Sequence, residues 1–198
     1  MKVITLLFLS LLLLPAVAIA GQFEEGQDAY SRGDYQTALK LWMPLAEQGN
    51  AKAQSRIGWM NWYGTGVKPD TAEARKWYRR AAEQGDARSQ FNLGLMYWWG
   101  IGGVTQDYAE AATWYRKAAD RGYAYAQTSL GMMYEHGVGV TQDLVQAYMW
   151  TSLAKAAGNE SSAIPLDGIA AKMTPGQIAE AKRLASAWKP TPTATAKP

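Results

Sequence analysis

Apolar side chains recur at helical spacing along the chain, in segments that end at glycine. One segment has them at i, i+3, i+4 and i+7, which places them on one face of an α-helix: Ala74, Trp77, Tyr78 and Ala81. The next segment, from about Ala87 to Trp99, has the same spacing and leads into the turn Gly100-Ile101-Gly102. The pattern therefore predicts pairs of helices joined by glycine-containing turns.

Aspartates mark the start of the first helix of each pair. Each is followed three residues later by Glu or Gln, in the pairs Asp70/Glu73, Asp107/Glu110 and Asp143/Gln146. An N-cap aspartate accepts hydrogen bonds from amides of the first turn, and the Glu or Gln can accept one from the N-cap amide. We therefore place helix starts at these aspartates and a helix end at Gly85, which can adopt the left-handed C′ conformation.

The helix pairs repeat with a nearly constant period. Gly49, Gly85, Gly122 and Gly158 are 36, 37 and 36 residues apart. Other columns share this register: Asp34, Asp70, Asp107 and Asp143; Ala38, Ala74, Ala111 and Ala147; Gln54, Gln90 and Gln127; Gly58, Gly94 and Gly131. Such self-similarity is typical of solenoids, whose units bury their apolar faces against each other. The sequence predicts an all-α fold, an α-solenoid of stacked helix–turn–helix repeats of about 36 residues.

The repeats divide the chain into regions. We expect a signal peptide at 1–20, an N-terminal capping helix at 21–33, the repeat solenoid at 34–158, C-terminal capping helices at 159–188 and a disordered tail at 189–198. In the C-terminal cap, Thr174 fits an N-cap and Pro175 the first helical position. The apolar residues expected to close the solenoid are Ile178, Ala181, Leu184, Ala185 and Trp188. The tail is rich in Pro, Thr and Ala, which predicts disorder.

These columns resemble the Sel-1-like repeat family, a branch of the tetratricopeptide-like solenoids. The third unit matches the family pattern most fully, through Asp107-Tyr108, Trp114-Tyr115, Gly122, Leu130-Gly131 and Gly137-Val138-Gly139-Val140. The resemblance covers residues 33–158. It implies an adaptor, scaffold or regulator that binds other proteins, and many bacterial members work in the periplasm. A few cysteine-rich members are linked to β-lactam binding or hydrolysis, but this chain lacks their cysteine pairs.

The first twenty residues have the pattern of a cleavable secretory signal. Lys2 precedes an apolar run that Pro15 ends, and Ala18 and Ala20 supply small residues at −3 and −1 of a cleavage site after Ala20. An uncleaved membrane anchor is the alternative, but the run is shorter than the ~20 residues that cross a bilayer. We therefore expect a periplasmic or secreted protein with no stable membrane anchor.

Composition limits the possible partners. The 20 Lys+Arg and 17 Asp+Glu give a net charge of +3, and loss of Lys2 with the signal leaves 19 against 17, or +2. This weak charge is spread along helices, so we expect no nucleic-acid partner. The absence of cysteine excludes disulfides, thiolate metal sites and a cysteine nucleophile. Nine tryptophans and eleven tyrosines are the feature that needs an explanation.

Residues that could carry catalysis are few. His136 is the only histidine, and its neighbour Glu135 supplies neither a nucleophile nor a second metal ligand. The glycine-rich segment 100–103 follows a helix rather than a strand, so it is a turn and not a phosphate cradle. Arg79 and Arg80 are expected to be a solvated pair on the outer face of a helix. We therefore expect no enzyme activity, no cofactor and no metal site.

The second helix of each pair carries unusual aromatic residues. If it lines the concave face as in tetratricopeptide-like proteins, the residues at −6, −3, +1, +4 and +5 from its central glycine point into the groove. The family usually has small or polar residues at +4 and +5, where this chain has Trp62-Tyr63 and Trp98-Trp99. The predicted partner-binding residues are Lys52, Trp59, Trp62, Tyr63, Arg88, Phe91, Leu95, Trp98, Trp99 and Tyr125.

Two interpretations of these rings remain open. Large exposed aromatic patches usually mark binding sites, but some rings could instead fill gaps between repeats. We expect such a packing role for Trp77, Trp114 and Trp150. The favoured function is binding of a protein or peptide partner in the cell envelope. The alternative is a glycan or peptidoglycan-fragment binder, because paired tryptophans also stack on sugar rings.

Overall fold

The computed structural model describes residues 21–158 and 166–192, which form ten α-helices and no strand. The signal peptide predicted at 1–20, the segment 159–165 and residues 193–198 of the predicted tail lie outside the described residues. The helices are α1 (21–31), α2 (Tyr35–Glu47), α3 (Ala51–Tyr63), α4 (Thr71–Glu83), α5 (Ala87–Trp99), α6 (Tyr108–Asp120), α7 (Ala124–His136), α8 (Leu144–Ala156), α9 (Leu166–Ala170) and α10 (Pro175–Ala187). Consecutive helices from α2 to α9 pack against each other, and α10 packs against α8. The predicted all-α solenoid of stacked repeats is confirmed.

The predicted helix starts are confirmed. Asp70, Asp107 and Asp143 each accept hydrogen bonds from first-turn amides at 2.9–3.0 Å. Thr174 and Gln177 form a reciprocal capping box at the start of α10, with Pro175 at its first position. These contacts satisfy amides that have no partner within the helix.

The acceptors three residues after two of the aspartates have a role that the capping pattern did not predict. Glu110 Oε1 accepts the indole N–H of Trp114 at 2.9 Å, and Gln146 Oε1 accepts that of Trp150 at 3.2 Å. A tryptophan buried between helices needs a partner for its single donor. The repeated Glu or Gln therefore belongs to the packing of the tryptophan one turn later.

The glutamine column joins the two helices of each pair. Each glutamine lies near the start of its helix and donates its amide to a carbonyl near the end of the preceding helix: Gln54 to Ala46, Gln90 to Ala82 and Gln127 to Ala119, at 2.9–3.2 Å. The last carbonyls of a helix have no acceptor role within it. Each buried glutamine thus gives a hydrogen bond to a buried carbonyl that has no partner within its own helix.

The glycine column allows close contact between adjacent pairs. A Cβ built on Gly58 would lie 2.7 Å from the ring of Tyr78, and one on Gly94 would lie 2.5 Å from the ring of Tyr115. Such distances are too short for any larger residue. Each ring therefore lies directly on the backbone of the preceding helix.

Tryptophans form the interior column that the repeat predicts. Trp77, Trp114 and Trp150 are 7%, 5% and 1% exposed, and Trp42 is fully buried. Each lies on an even-numbered helix. Trp77, Trp114 and Trp150 share one column and fill the space between neighbouring repeats, as we expected. Trp42 stands one position later in its repeat, in the column of Tyr78 and Tyr115.

Arg79 and Arg80 reach solvent on the outer face, as we predicted, since Arg80 is exposed and the Arg79 side chain is 44% exposed, but both also contact aromatic side chains. Arg79 donates to the Tyr97 hydroxyl at 3.0 Å and its guanidinium lies 5.9 Å from the Trp114 ring centre, while Arg80 lies 4.6 Å from that of Trp77. A guanidinium is attracted to the face of an aromatic ring while its stem covers apolar surface. Hydropathy alone does not reveal this because a charged residue at an outer position predicts only exposure.

The C-terminal helix closes the solenoid. Leu184, Ala185 and Trp188 pack against the cluster around Trp150, and the rings of Trp188 and Trp150 are 6.2 Å apart. Beyond α10 the backbone continues along α6, where the Thr191 amide donates to the carbonyl of Asp120 at 2.7 Å. Residues 189–192 of the predicted disordered tail therefore contact the solenoid.

Candidate partner-binding surface

Helices α1, α3, α5 and α7 contribute to one surface of the solenoid, which we call the odd-helix face. Its residues occupy the columns that the sequence placed in a groove. Two cavities lie along it, one lined by residues of α1, α3 and α5 and the other mainly by residues of α5 and α7. Helix α5 takes part in both, so the cavities are neighbours on a continuous surface.

The first cavity, which we call the polar groove, has a volume of about 390 Å³. It is lined by Phe23, Glu24, Gln27, Lys52, Ser55, Arg56, Trp59, Asp86 and Arg88. Four of these residues stand at −6, −3 or +1 from Gly58 or Gly94: Lys52, Ser55, Trp59 and Arg88. The groove columns inferred from the sequence therefore line a real cavity.

Cations outnumber anions around the polar groove. Lys52, Arg56 and Arg88 face Glu24 and Asp86, and Asp86 already caps α5 by accepting the Ser89 amide at 2.7 Å. In the described part of the chain, none of the three cations has a carboxylate oxygen within the 4.0 Å of an ion pair. The groove thus offers positive charge that the protein itself leaves uncompensated at short range.

Arg56 is half-buried, whereas Lys52 and Arg88 are exposed. Its guanidinium lies over the buried Trp42 ring, 5.9 Å from the centroid. Burial lowers the pKa of Arg56 and the neighbouring Arg88 lowers it further, while Asp86 and Glu24 act in the opposite direction. Arg56 remains charged at any physiological pH because the ordinary pKa of a guanidinium is so high. Its half-buried charge would gain from an anionic partner.

The second cavity, which we call the apolar groove, has a volume of about 200 Å³. It is lined by Leu95, Trp98, Trp99, Tyr115, Ser129 and Met132. Tyr115 is only 2% exposed, whereas Trp99 and Met132 are 64% and 42% exposed. An apolar side chain that enters the cavity can therefore contact the buried Tyr115 and the exposed Trp99 and Met132.

The structure separates the two rings of each predicted aromatic pair. Trp62 and Trp98 are half-buried and pack against Tyr78 and Tyr108, with ring centres 6.1 and 4.8 Å apart. Tyr63 and Trp99 are 58% and 64% exposed. The first ring of each pair fills space between repeats, and the second faces solvent.

The other predicted binding residues are also either exposed or half-buried. Lys52, Arg88 and Tyr125 are exposed, while Trp59, Phe91 and Leu95 are half-buried. Phe91 packs on Tyr115 and Tyr123 at 5.4 and 5.3 Å, and its ring is 6.2 Å from that of Tyr125. Phe91 therefore supports the surface from below rather than forming its outermost part.

Sequence reasoning missed five residues of the polar groove: Phe23, Glu24, Gln27, Arg56 and Asp86. Arg56 stands at −2, a column that holds the buried Asn92 in the next repeat, so its position indicated packing. The sequence nevertheless contained a signal for this position. An arginine in a column that holds Asn or Ser in the other repeats needs polar surroundings. Gln27 lies in α1, where the repeat pattern is incomplete, and its buried carbonyl oxygen accepts no hydrogen bond from the described residues.

Glu135 and His136 are adjacent in the sequence, but Glu135 is buried and His136 is exposed. Glu135 is 8% exposed and forms an ion pair with Lys172 at 2.7 Å, and the Nδ1 of exposed His136 lies 3.0 Å from the Met132 carbonyl oxygen. Within residues 21–158 and 166–192, no three His, Asp or Glu side chains are grouped as a metal site would require. No helix in these ranges is long and apolar enough to cross a membrane.

A family model described as Sel1 repeat matches the chain in four consecutive segments, residues 19–50, 51–86, 87–123 and 124–159. None of the curated proteins matches the chain.

Two solved structures share this architecture. One is a protective antigen present in uropathogenic Escherichia coli strains that displays an SLR fold, with 31% sequence identity and a TM-score of 0.75 over 86% of this chain. The other is a Sel1 repeat protein from Oxalobacter formigenes, with 35% identity and a TM-score of 0.68 over 71% of this chain. The matches span 37% of the antigen and 57% of the second protein, so both are longer solenoid-containing chains.

Proposed function

Because the chain belongs to the Sel1 repeat family, we propose that it is a non-enzymatic scaffold that binds a protein or peptide on its odd-helix face. Sel1 repeat proteins generally act as scaffolds for protein interactions. The family fixes the class of function but not the surface or the partner. The finer proposal, binding on an aromatic-rich concave surface, rests on the side chains of this chain.

The observation that carries the proposal is the exposure of large aromatic rings on the face that holds the two cavities. Tyr63, Trp99 and Tyr125 are 58%, 64% and 55% exposed on three successive odd-numbered helices. Aromatic residues at the edge of a cavity contribute most to binding energy in protein interfaces, because they bury a large area with few rotatable bonds. Their exposure gives no benefit to the isolated fold, which supports a role in binding.

A crosslinking experiment tests the surface. A photoreactive amino acid replaces Trp99 in one variant and Lys182, which is exposed on α10, in a matched control. We expect irradiation of native cell envelopes to give a discrete adduct at position 99 and none at 182. Addition of excess unlabelled wild-type protein should remove the adduct. Equal crosslinking at both positions would contradict the proposed surface.

Muropeptides and oligosaccharides address the alternative ligand class. Under the proposal, titration with these glycans leaves the tryptophan fluorescence unchanged. A saturable shift that is lost in Trp99→Ala would instead assign the face to glycan binding.

Export is a separate proposal that depends on residues 1–20. We propose that these residues direct the chain to the periplasm or the outside of the cell and are removed after Ala20. Fractionation of the native host followed by N-terminal sequencing should place a protein that begins at Gly21 outside the cytoplasm. An intact Met1 in the cytoplasmic fraction would contradict it.

A further inference from the structure

Building on the proposed scaffold function, we infer that the odd-helix face recognises an extended acidic peptide by two anchors. A carboxylate of the peptide binds between Arg56 and Arg88 in the polar groove. An apolar side chain of the same peptide, three to five residues away, enters the apolar groove beside Trp99.

The carboxylate anchor follows from the charges of the polar groove. Arg56 and Arg88 line the same cavity, the charge of Arg88 lowers the pKa of Arg56, and the described residues place no carboxylate at ion-pair distance from either. Two planar guanidinium groups match the geometry of a carboxylate, which can accept paired hydrogen bonds from each. A ligand carboxylate would relieve the repulsion between the cations.

A further feature of the same groove fits a peptide. Trp59 also lines the groove, and its ring centre is 4.2 Å from that of the exposed Tyr63. The groove therefore combines its cations with an apolar wall.

The spacing of the anchors follows from helix α5. Arg88 lines the polar groove, and Leu95 and Trp99 line the apolar groove, seven and eleven residues further along the same helix. A helix rises about 1.5 Å per residue, so the two sites are roughly 10–16 Å apart along its axis. An extended peptide advances about 3.3 Å per residue and needs about three to five residues to cover this distance.

The apolar anchor gives the face its preference for a peptide over a small anion. Leu95, Trp98 and Met132 surround a cavity closed at its base by the buried ring of Tyr115. A leucine or methionine side chain entering it would bury apolar area on all sides. A free carboxylate such as acetate would occupy only the polar groove and bind far more weakly.

Fluorescence anisotropy with designed peptides tests the inference. The probe is a ten-residue peptide of Ser, Gly and Thr with an uncharged fluorophore, an amidated C-terminus and Asp and Leu four positions apart. We expect saturable binding that weakens about tenfold or more when Asp becomes Asn or Leu becomes Ser. Placing the two residues adjacent to each other should weaken binding to the level of the single-anchor peptides. A second probe with a free C-terminal carboxylate in place of Asp shows which source of carboxylate is preferred.

Protein variants locate the anchors. Arg88→Gln should weaken binding of the Asp/Leu peptide about tenfold but leave the Asn/Leu peptide unaffected, because it removes only the carboxylate contact. Since Arg88 is exposed, the variant should keep its wild-type urea midpoint. Arg183→Gln, on the exposed face of α10, is the control of equal charge and should change nothing. Arg56→Gln repeats the test from α3.

Several outcomes would overturn the inference. The carboxylate anchor is wrong if the Asp and Asn peptides bind with equal affinity, or if Arg88→Gln and Arg183→Gln lose equal affinity. The two-anchor arrangement is wrong if affinity does not depend on the spacing of Asp and Leu. The peptide assignment is wrong if inorganic phosphate or a muropeptide competes fully with the peptide. No binding up to about 1 mM of the Asp/Leu peptide would also overturn it. If an adduct still forms at position 99, the proposed scaffold function stands and only the peptide chemistry is wrong. If neither result is obtained, both proposals fail.

Discussion

The molecule carries two groups of aromatic side chains that are chemically alike and lie in opposite surroundings. The first is the set of buried tryptophans on the even-numbered helices, Trp42, Trp77, Trp114 and Trp150, none of which is more than 7% exposed. The second group lies on the odd-helix face, where Tyr63, Trp99 and Tyr125 are 55–64% exposed. An even-numbered helix has neighbours that cover its tryptophan, whereas the odd-helix face has no further layer of helices in the described structure.

The repeat register distinguishes the two groups better than residue type does. The interior column holds Trp77, Trp114 and Trp150 in three successive repeats, while the first repeat has Leu41 there. The +5 column changes from Tyr63 to Trp99 to His136, and the −6 column from Lys52 to Arg88 to Tyr125. All six residues of these two columns are exposed, so the columns are free to serve a ligand. Substitutions in the two groups should therefore affect different properties.

The largest effect is expected from the interior column. Trp150→Ala removes a side chain that is 1% exposed and contacts Trp188 and Arg116, so it should lower the free energy of unfolding by about 3–5 kcal/mol. Urea denaturation followed by circular dichroism measures the loss. A loss below about 1 kcal/mol would show that the column does not hold the repeats together.

A smaller effect is expected where a ring lies directly on a helix backbone. In Gly94→Ala the new methyl would lie 2.5 Å from the Tyr115 ring, so overpacking should cost about 1–3 kcal/mol although alanine favours helices. The matched control is Gly176→Ala in α10, where the new methyl would meet nothing closer than 4.0 Å. That control should be neutral or slightly stabilising. Equal effects at both positions would contradict the close contact.

Removing a helix cap should cost less again. Asp107→Ala deletes the acceptor of two first-turn amides at the start of α6 and should lower stability by about 1 kcal/mol. Asp107→Asn keeps an acceptor and should retain most of it. The measurement is the urea midpoint of the three proteins at constant slope. If Asn is as damaging as Ala, the negative charge rather than the hydrogen bond is what matters at this position.

The smallest effect on stability is expected at the exposed ring. Trp99→Ala should change the free energy of unfolding by no more than about 0.5 kcal/mol, yet abolish or strongly weaken partner binding. The neighbouring Trp98→Ala is the comparison, because Trp98 packs on Tyr108 and its loss should destabilise the fold measurably. Comparable destabilisation in the two variants would place Trp99 in the packing group and remove the basis for the binding surface.

The sequence was sufficient for the fold because repetition tests every inference several times. One aspartate before a helical stripe is weak evidence, but Asp70, Asp107 and Asp143 in one register leave little choice of helix start. The same holds for Gly58 and Gly94. The register also placed the groove columns, and four of the nine residues of the polar groove follow them.

The binding surface was harder to predict from the sequence than the fold, because it depends on the positions of individual side chains. Trp98 and Trp99 are adjacent and equally apolar, and only the contact with Tyr108 distinguishes them. Arg56 was missed because it departs from its own column, and a departure has no repeated example to support it. The aromatic contacts of Arg79 were not predicted because they lie 18 and 35 positions along the chain, on Tyr97 and Trp114.

The unequal shielding of the tryptophans gives the protein a built-in optical reporter. All nine tryptophans lie within the described residues, and Trp99, at 64% exposed, is the most exposed of them. Its emission should form the long-wavelength edge of the spectrum and should be the part that a dissolved quencher such as iodide removes first. Because Trp99 stands at the rim of the apolar groove, a molecule that occupies the groove should shift that edge to shorter wavelength and protect it from iodide. Occupancy of the face can therefore be followed on the unlabelled protein.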